Sequence, residues 1–472
     1  MPSCSHCAVY QAPPGSNEQH HHGRKLPQCF DHITWTVSNG DILLNGQPFR
    51  VRGANWFGFE TTASVVHGLW GLTTMDKVMD FLVANKFNAL RIPFSLALAL
   101  DPNFMIDPWQ CMECTPDPSK PTSAWGALDR LFDKAAAKGL MIVLDLHVLG
   151  KGGGIMDLWY DDKYDETSVI TGWSNMVRRW GSRANLMGID LKNEPHGVAT
   201  WALSTDSAPD KHDWGQAAER IAKALIKQYP SFDKLVIVEG VGADGADLPY
   251  PRSDPAYSKY WGSNLDGLYK RQLNFGSAQA NARMVYSSHI YGPSVSMQPY
   301  DSAPNFPNNM PAIWDKQVGF VEGLTGKPVV IGEWGGLKKN VDLDQKLQAK
   351  WAQYMADKCI GDNFIWAIND NSADTKGLLT ESWDVTKPNT DVLQLSKTAQ
   401  TDPSIIAPNI AATSICVTLT NTVQDVCCAT FCKQCGGTGC HTAANGGASN
   451  CCASNIKASG KYCTSNAPPC IR

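Results

Sequence analysis

No apolar run in the sequence approaches the ~20 residues that a membrane-spanning helix needs, so we predict a soluble protein with no membrane partner. Charge of one sign is also scarce: 41 Lys and Arg residues stand against 45 Asp and Glu residues, which gives no basic footprint for nucleic acid. The His20-His21-His22 run lies near Cys4 and Cys7, but no second cluster follows at ligand spacing, so we predict neither a metal nor a cofactor. With 43% apolar and 18% charged residues, the chain can instead bury a large core.

Cysteine is unevenly distributed, since ten of the 16 lie between Cys416 and Cys470, a density typical of an oxidised, disulfide-bonded module. Such a module predicts a secreted protein, yet residues 1–27 lack the apolar core of about 7–15 residues that a secretory leader carries. We favour an incomplete start of the sequence over unconventional export. The ten cysteines permit full pairing among themselves with the connectivity open, whereas Cys111 and Cys114 form a local disulfide or stay free thiols.

Between residues 51 and 368, short apolar runs alternate with amphipathic stretches. The strand-like runs are Val51–Asn55, Phe87–Pro93, Leu140–His147, Leu186–Asn193, Lys234–Gly240, Arg283–His289, Pro328–Glu333 and Asn363–Ile368. The helical patterns between them include Thr74–Asn85, Trp125–Lys138, Trp214–Tyr229 and Leu343–Cys359. Eight runs with crossover segments predict an α/β fold of the (β/α)8, or TIM-barrel, type. An open doubly wound sheet is the rival, but the Gly-rich phosphate turn expected after its first strand is missing.

The composition divides the chain into four parts. We predict a polar leader or linker over residues 1–30, the barrel over 31–395, a linker rich in Thr, Ala, Pro and Ser over 396–414, and a small C-terminal Cys-rich module over 415–472. Within the barrel segment, Asn45-Gly46 indicates a hairpin in the stretch from Ile33 to Val51, and we expect this hairpin to cover the bottom of the barrel. We expect a monomer.

The active site of such a barrel lies at the C-terminal ends of its strands. The polar residues at the predicted strand ends are Asn55, His147, Asn193, Glu194, His289, Tyr291 and Glu333, and two further residues lie within strands, Arg91 in the second and Trp366 in the eighth. Two carboxylates, Glu194 and Glu333, thus close the fourth and seventh strands. Glycoside hydrolysis needs one proton donor and one carboxylate at the anomeric carbon, and a separation of ~5–5.5 Å makes the reaction retaining. We therefore predict a retaining β-glycosidase with Glu194 as acid/base and Glu333 as nucleophile.

The neighbouring residues match the other needs of that reaction. Arg91 and Tyr291 can hydrogen-bond Glu333 and keep it ionised, whereas a proton donor needs a raised pKa. Asn193 can hold the sugar 2-hydroxyl, whose contact strengthens in the transition state. Three ring side chains are assigned to further contacts with the substrate or the carboxylates: His147, His289 and Trp366. Each residue alone fits an ordinary ion pair or a buried structural role, but their joint occurrence at strand ends favours catalysis.

The same residues stand in motifs that resemble glycoside hydrolase family 5, and within it the bacterial endo-β-1,4-glucanases, or cellulases. The similarity spans roughly residues 41–400 in the order that the family keeps. The matching stretches are Asn55-Trp56-Phe57-Gly58-Phe59-Glu60-Thr61, His67-Gly68-Leu69-Trp70, Leu90-Arg91-Ile92-Pro93-Phe94-Ser95, Asp190-Leu191-Lys192-Asn193-Glu194-Pro195-His196, Tyr286-Ser287-Ser288-His289-Ile290-Tyr291, Phe306-Pro307-Asn308-Asn309-Met310-Pro311 and Ile331-Gly332-Glu333-Trp334-Gly335.

The resemblance implies the same roles for Glu194 and Glu333 and the same supporting residues in the active site. It also implies a substrate cleft lined by Trp56 and Trp261, although tryptophans in such motifs can instead fill a core. Two loops depart from the cellulase pattern, residues 148–154 after His147 and residues 367–371 after Trp366. Because both loops shape the cleft, the linkage stays open: β-1,4-glucan leads, while β-1,3-glucan, mannan or a glycolipid glucoside are rivals. A non-catalytic carbohydrate-binding wall protein is the other class of hypothesis.

The Cys-rich tail resembles the small fungal-type cellulose-binding module over about eight residues, around the Gln-Cys-Gly-Gly core that begins at Gln434. Those modules bind glucan on several coplanar aromatic rings. Phe431 and Tyr462 are the aromatic residues after Cys416, which is few for that task. Carbohydrate binding and a purely structural, disulfide-held module are therefore equally weighted.

Overall fold

The computed structural model describes residues 28–115, 122–202, 209–242, 253–257, 260–336, 341–358, 360–399, 403–411 and 414–418. The predicted leader, apart from its last three residues, lies outside the described residues. So does the predicted Cys-rich module beyond residue 418, together with its carbohydrate-binding and structural alternatives.

The regular elements follow the alternation that the sequence predicts. In chain order the strands are β1 (Gln28–Phe30), β2 (Trp35–Ser38), β3 (Asp41–Leu44), β4 (Gln47–Pro48), β5 (Arg52–Asn55), β6 (Ala89–Ser95), β7 (Met141–Val148), β8 (Leu186–Asp190), β9 (Leu235–Glu239), β10 (Met284–Tyr291), β11 (Val329–Gly335), β12 (Asn363–Ile365), β13 (Ile405–Ile406) and β14 (Ile415–Thr418). The helices are α1 (Met75–Ala84), α2 (Leu96–Leu100), α3 (Ala124–Lys138), α4 (Glu166–Trp180), α5 (Pro209–His212), α6 (Trp214–Gln228), α7 (Ala278–Asn281), α8 (Met310–Trp314), α9 (Val321–Thr325), α10 (Val341–Lys358) and α11 (Thr390–Ala399).

Strands β5 to β12 are parallel and form a closed barrel in which each strand pairs with the next and β12 pairs with β5. The predicted (β/α)8 barrel is confirmed, and each of the eight strands falls on one of the eight predicted runs. The strands are buried along their length because helices cover the outside of the barrel, which explains why they read as continuous apolar runs. None of the described helices is long and apolar enough to cross a membrane.

Helix α3 illustrates how local sequence sets the outer layer. The Ser123 side chain accepts a hydrogen bond from the backbone N–H of Gly126 and caps the first turn. Gly139 ends the helix in the left-handed conformation, with φ of 76°, where a side chain would be strained. Leu128 and Leu131 lie on the face that packs against the barrel, so this helix is fixed by an apolar stripe between two caps.

The predicted hairpin covers the bottom of the barrel. Strands β2, β3 and β4 form an antiparallel sheet, and the β3–β4 turn is Asn45-Gly46, with both residues at positive φ as this turn type requires. Trp35 and Leu44 are fully buried and pack in one cluster with Met141 and other residues from the N-terminal ends of the barrel strands. The hairpin therefore closes the end of the barrel opposite the predicted site.

The predicted linker over residues 396–414 and the predicted barrel boundary at 395 are wrong for the part that the structure describes. Residues 390–399 are helix α11, and β13 and β14 pair with β1 in a sheet whose Ile415 and Val417 are buried in the bottom cluster. Cys416 forms a disulfide with Cys29, so the ten C-terminal cysteines do not all pair among themselves. The barrel unit therefore extends through residue 418. The alternating apolar residues of β14 are too few to separate a strand from a linker by sequence.

Cys29→Ser and Cys416→Ser are each expected to lower the free energy of unfolding by about 3–5 kcal/mol, because the disulfide closes a very long loop of 387 residues. Denaturant unfolding under non-reducing conditions measures this loss. Cys111→Ser is the matched control: its bond to Cys114, which is the predicted local disulfide, spans a separation of only three residues and should contribute less. An equal loss in all three variants would contradict the chain-entropy argument.

Candidate active site

Arg91 lies at the centre of the cluster that forms where the barrel strands end. Its buried guanidinium hydrogen-bonds or ion-pairs with residues from five other strands or strand ends. The partners and distances are Glu333 at 2.7 Å, Glu239 at 2.9 Å, Asp190 and Asn193 at 3.0 Å, Asn55 at 3.1 Å and Asp145 at 3.2 Å. Four carboxylates around one cation hold Arg91 charged, and the cation in turn fixes where each acidic side chain points.

Glu333 is bound on both carboxylate oxygens. Arg91 Nη1 donates to Oε1 at 2.7 Å and the Tyr291 hydroxyl donates to Oε2. Burial raises the pKa of Glu333; the cations of His289 and Arg91 lower it without overcoming burial, and the charge of Glu194 adds to the rise. The sequence prediction that Arg91 and Tyr291 contact Glu333 matches this geometry. The Arg91 and His289 cations reduce the rise in the pKa of Glu333, but burial still keeps that pKa above its usual value.

Glu194 lies on a strained turn directly after β8. Its φ of 48° places a non-glycine residue in the left-handed region, a conformation that costs free energy and is typical of functional sites. The backbone N–H of Glu194 donates to Glu239 Oε2 at 2.7 Å, which holds this turn in place. The carboxylate of Glu194 lies 2.9 Å from His289 Nδ1. One oxygen of Glu194, one of Glu333 and a His289 nitrogen all lie within 4.8 Å of one another, so the two carboxylates face the same point.

Glu239 is a site residue that the sequence prediction missed. It ends β9, is fully buried, and lies 3.2 Å from His289 Nε2. Although burial raises its pKa, the neighbouring His289 and Arg91 cations outweigh burial and lower the pKa of Glu239 to about 2. Glu239 is the next-to-last residue of the fifth predicted strand, Lys234–Gly240, so a search of the strand ends that included this position could have found it. Asp145 and Asp190 were missed because they lie inside apolar runs.

His289 connects the two catalytic candidates. Burial lowers its pKa, but the charges of Glu239 and Glu333 and its hydrogen bonds raise the pKa well above the usual histidine value. Its Nδ1 lies 2.9 Å from Glu194 and its Nε2 lies 3.2 Å from Glu239, so each ring nitrogen faces a carboxylate.

A second histidine, His147, lies at the end of β7, where Asp145 hydrogen-bonds its Nδ1 at 2.7 Å. The ring stacks on Trp366, with centroids 5.5 Å apart and an angle of 10° between the planes. One oxygen of Glu333 lies within 4.8 Å of the His147 ring nitrogen, which places this stacked pair beside Glu333. Asn193 Nδ2 is buried and has no hydrogen-bond partner among the described residues, while its Oδ1 accepts from Arg91 at 3.0 Å.

A cavity of about 530 Å³ opens over the two carboxylates. Its lining combines them with aromatic rings and small polar groups, namely His147, Ile155, Glu194, Tyr260, Trp261, Tyr291, Val295, Ser296, Gln298, Glu333, Trp366, Ser372, Ala373 and Asp374. This mixture of flat apolar faces and convergent polar atoms is typical of a small-molecule or saccharide cleft.

The two predicted cleft tryptophans differ in position. Trp261 is 50% exposed, lines the cavity, and stacks on His196 with ring centroids 3.7 Å apart. Trp56 is fully buried, and its Nε1 donates to the carbonyl oxygen of His67 at 3.0 Å. The prediction that Trp56 lines the cleft is therefore wrong: the side chain packs in the hydrophobic core and has no exposed face to offer a ligand.

Three groups of acidic and histidine side chains in the described chain are spaced closely enough to hold a metal ion, and all belong to this site. One of them is Asp145, Asp190 and Glu239. All three of these carboxylates lie within 3.2 Å of Arg91. This guanidinium supplies the positive charge that a metal would otherwise bring, so the donor set does not need an ion for charge balance.

Comparisons with known proteins agree with the geometry. A family model described as cellulase (glycosyl hydrolase family 5) matches residues 43–372. The chain is 34% identical to an endoglucanase of Paenibacillus polymyxa over 76% of this chain and 85% of that one. It is 33% identical to the major extracellular endoglucanase of Xanthomonas campestris over 74% of this chain and 68% of that one.

Solved structures show the same barrel. A hyperthermophilic endocellulase from Pyrococcus horikoshii superposes with a TM-score of 0.70 at 31% identity over 78% of this chain and 98% of that one. Variants of that endocellulase have been solved in complex with cellotetraose. The family match covers more than half of the chain and includes both glutamates, so the protein belongs to glycoside hydrolase family 5, the cellulase family, and is a hydrolase of glycosidic bonds.

Proposed function

We propose that the protein is a retaining endo-β-1,4-glucanase in which Glu194 is the acid/base and Glu333 is the nucleophile. The observation that carries the proposal is the spacing of the pair, with one oxygen from each carboxylate within 4.8 Å of the other. Retaining glycosidases hold their carboxyl groups ~5–5.5 Å apart, whereas inverting enzymes leave ~6.5–9.5 Å for a water molecule. The distance supports direct attack by a carboxylate.

In the first step, Glu333 attacks the anomeric carbon while Glu194 donates its proton to the glycosidic oxygen. The C–O bond to the leaving chain breaks and a glycosyl ester forms on Glu333. In the second step, Glu194 removes a proton from water, whose oxygen attacks the anomeric carbon and releases Glu333. Arg91 and Tyr291 hold the attacking oxygens in place, and their positive charge and hydroxyl then stabilise the departing carboxylate.

We assign the sugar units on either side of the scissile bond from the residues around the two glutamates. We assign Nδ2 of Asn193, a buried donor that has no hydrogen-bond partner among the described residues, to the 2-hydroxyl, a contact that strengthens as the oxocarbenium ion develops. The Trp366 ring, stacked on His147 beside Glu333, offers an apolar face to the sugar on the glycone side. Trp261 belongs to the leaving-group side, because the adjacent Gly262 abuts Glu194: a Cβ at Gly262 would come within 3.1 Å of Glu194 Cγ.

The choice of β-1,4-glucan among β-glycans is supported by the relatives, which are named endoglucanases and endocellulase. Hydrolysis of carboxymethyl cellulose in a panel with laminarin, mannan and a glucosyl lipid tests it, and faster turnover of any of the other three would overturn the linkage. An extracellular location is proposed from the relative named as extracellular. The monomeric state and the carbohydrate-binding role of the Cys-rich tail stay predictions.

Retention has its own test. Proton NMR of cellopentaose hydrolysis, recorded before mutarotation, is expected to show the β-anomer of the new reducing end first, because two displacements at the anomeric carbon restore its configuration. Initial formation of the α-anomer would contradict the assignment of Glu333 as nucleophile. The β-to-α equilibration of the same product, followed to completion, serves as the internal control.

A further inference from the structure

His196 lies directly behind the acid/base candidate and has no role in the chemistry above. The residue is only 5% exposed, and within the described part of the chain it lies behind the lining of the cavity rather than in it. Its side chain therefore does not meet the substrate. Any effect of His196 on the reaction has to act through the residues that it touches.

The first of these residues is Glu194. Nδ1 of His196 lies 2.7 Å from the backbone carbonyl oxygen of Glu194, and because a carbonyl oxygen only accepts, Nδ1–H is the donor. The N–H of Glu194 donates to Glu239, so the strained backbone with φ of 48° is held on both sides of its Cα. Such a turn persists only when its surroundings fix it. The direction of the Glu194 side chain thus depends on His196.

The face of the same ring carries Trp261. The two centroids lie 3.7 Å apart with 8° between the planes, so the half-exposed indole rests flat on the buried imidazole. Gly242 leaves room for this stack, because a Cβ there would come within 2.6 Å of His196 Cβ and 3.0 Å of Trp261 Cδ1. His196 therefore also sets the orientation of the ring that we assigned to the leaving-group side.

Asp157 holds the imidazole from its far side. Its Oδ1 lies 3.0 Å from Nε2 of His196, and its backbone carbonyl accepts from the backbone N–H of His196 at 3.1 Å. The ring is thus held at both nitrogens and packed on one face. Its orientation is preformed, and a ligand does not have to order it.

We propose that His196 is a positioning residue with two effects: it aims the Glu194 carboxyl at the glycosidic oxygen, and it holds Trp261 flat against the leaving-group sugar. This inference rests on the proposed glucanase function. Its physical basis is that a proton donor must stand at hydrogen-bond distance from the departing oxygen, so a small displacement of the Glu194 turn costs rate. The stack contributes instead to binding of the leaving chain. The hydrogen bond therefore governs kcat, and the stack governs KM.

Three substitutions separate these two contacts. The amide nitrogen in His196→Asn is as many bonds from Cα as Nδ1 is, so it can keep the bond to Glu194, whereas the amide nitrogen in His196→Gln corresponds to Nε2. His196→Phe keeps a flat ring under Trp261 but has no donor. On cellopentaose, His196→Gln and His196→Phe are expected to lower kcat about 10- to 100-fold, while His196→Asn stays within about threefold. KM should rise about three- to tenfold in His196→Asn and His196→Gln, the equivalent of one lost ring stack, and stay within about twofold in His196→Phe.

A second substrate, β-cellobiosyl fluoride, separates positioning from general damage to the fold. Fluoride departs without a proton donor and carries no leaving-group sugar, so kcat/KM should stay within about threefold in all three variants. Phe320→Asn is the control for loss of a stacked ring: Phe320 stacks on the half-exposed Tyr269 with centroids 4.2 Å apart, and neither ring lines the cavity. It should match the unchanged protein on both substrates.

Equal kcat of His196→Asn and His196→Gln on cellopentaose would overturn the inference. A loss of the same size on β-cellobiosyl fluoride would also overturn it, by assigning His196 to the stability of the fold, and so would an unchanged KM in both amide variants. If His196→Phe does not fold, the two amide variants decide alone. If the unchanged protein hydrolyses neither substrate, the proposed function falls and this inference falls with it.

Discussion

Glu333→Gln is expected to lower kcat on carboxymethyl cellulose by at least about 10⁴-fold, since the amide cannot form the glycosyl ester on which turnover depends. The substitution keeps the size of the side chain: its amide oxygen can accept from Arg91, and its NH2 group can donate to the Tyr291 hydroxyl in place of the second carboxylate oxygen. The circular dichroism spectrum should therefore be unchanged. Steady-state rates measured from reducing ends give the loss.

Glu194→Gln should also abolish turnover of carboxymethyl cellulose, but its effect depends on the leaving group. An aryl cellobioside with an acidic phenol leaves without a proton, so the glycosyl ester should still form on Glu333 and accumulate, because no base activates water. Azide needs no base, and it is expected to restore turnover by attacking that ester to give a β-glycosyl azide. The same anion added to Glu333→Gln should give no β-product.

The matched control for both substitutions is Glu322→Gln, at a partly buried glutamate that packs against the β2–β3 turn at the other end of the barrel. It should leave activity unchanged. Near-normal activity in Glu194→Gln or Glu333→Gln would contradict the assigned roles. So would a β-glycosyl azide formed by Glu333→Gln together with an α-glycosyl azide formed by Glu194→Gln.

The sequence predicted most of the barrel and most of the site for one physical reason. In a parallel barrel the strands are buried on both faces, so a polar residue at the end of an apolar run, such as Glu333 or Glu194, stands out. Asp145 and Asp190 escaped notice because they lie within such runs, where a carboxylate is tolerated only when a partner neutralises it. That partner, Arg91, comes from another strand and is assigned to them only in three dimensions.

Other features depend on contacts that no local pattern carries. Trp56 and Trp261 both occur in motifs of the same family, yet one is fully buried and the other half exposed, because burial is decided by the loops that pack over them. The pairing of Cys29 with Cys416 joins residues 387 positions apart, and a spacing rule gives no partner at that range. The short β14 has only two inward residues, too few for the alternation to be recognised.

Arg91→Lys is expected to have the largest combined effect on stability and pH dependence. Lysine offers three donors from one atom, whereas the guanidinium contacts four carboxylates and two amide oxygens from a planar group. Buried carboxylates left without their partner should lower the free energy of unfolding by about 3–5 kcal/mol, measured by denaturant unfolding at neutral pH.

The same variant should shift the acid limb of kcat/KM to higher pH. Glu333 must be ionised to attack, so activity is lost as the pH falls through its pKa. Burial already raises that pKa, and Arg91 is one of the cations that oppose the rise. Weakening this contact raises the pKa further, and the active fraction then disappears at a higher pH.

Arg50→Lys separates this electrostatic effect from general destabilisation. Arg50 is also buried and pairs with Asp41 at 2.6 Å and Asp362 at 3.5 Å, but at the bottom of the barrel. It should lose stability and keep the pH profile of the unchanged protein. If Arg50→Lys moved the acid limb as far as Arg91→Lys does, or if Arg91→Lys left it in place, the limb would not report the ionisation of Glu333. A shift of the acid limb in Arg91→Lys alone would show that Arg91 keeps the nucleophile Glu333 ionised. Arg91 is the cation that Glu333 shares with the three other buried carboxylates at the strand ends.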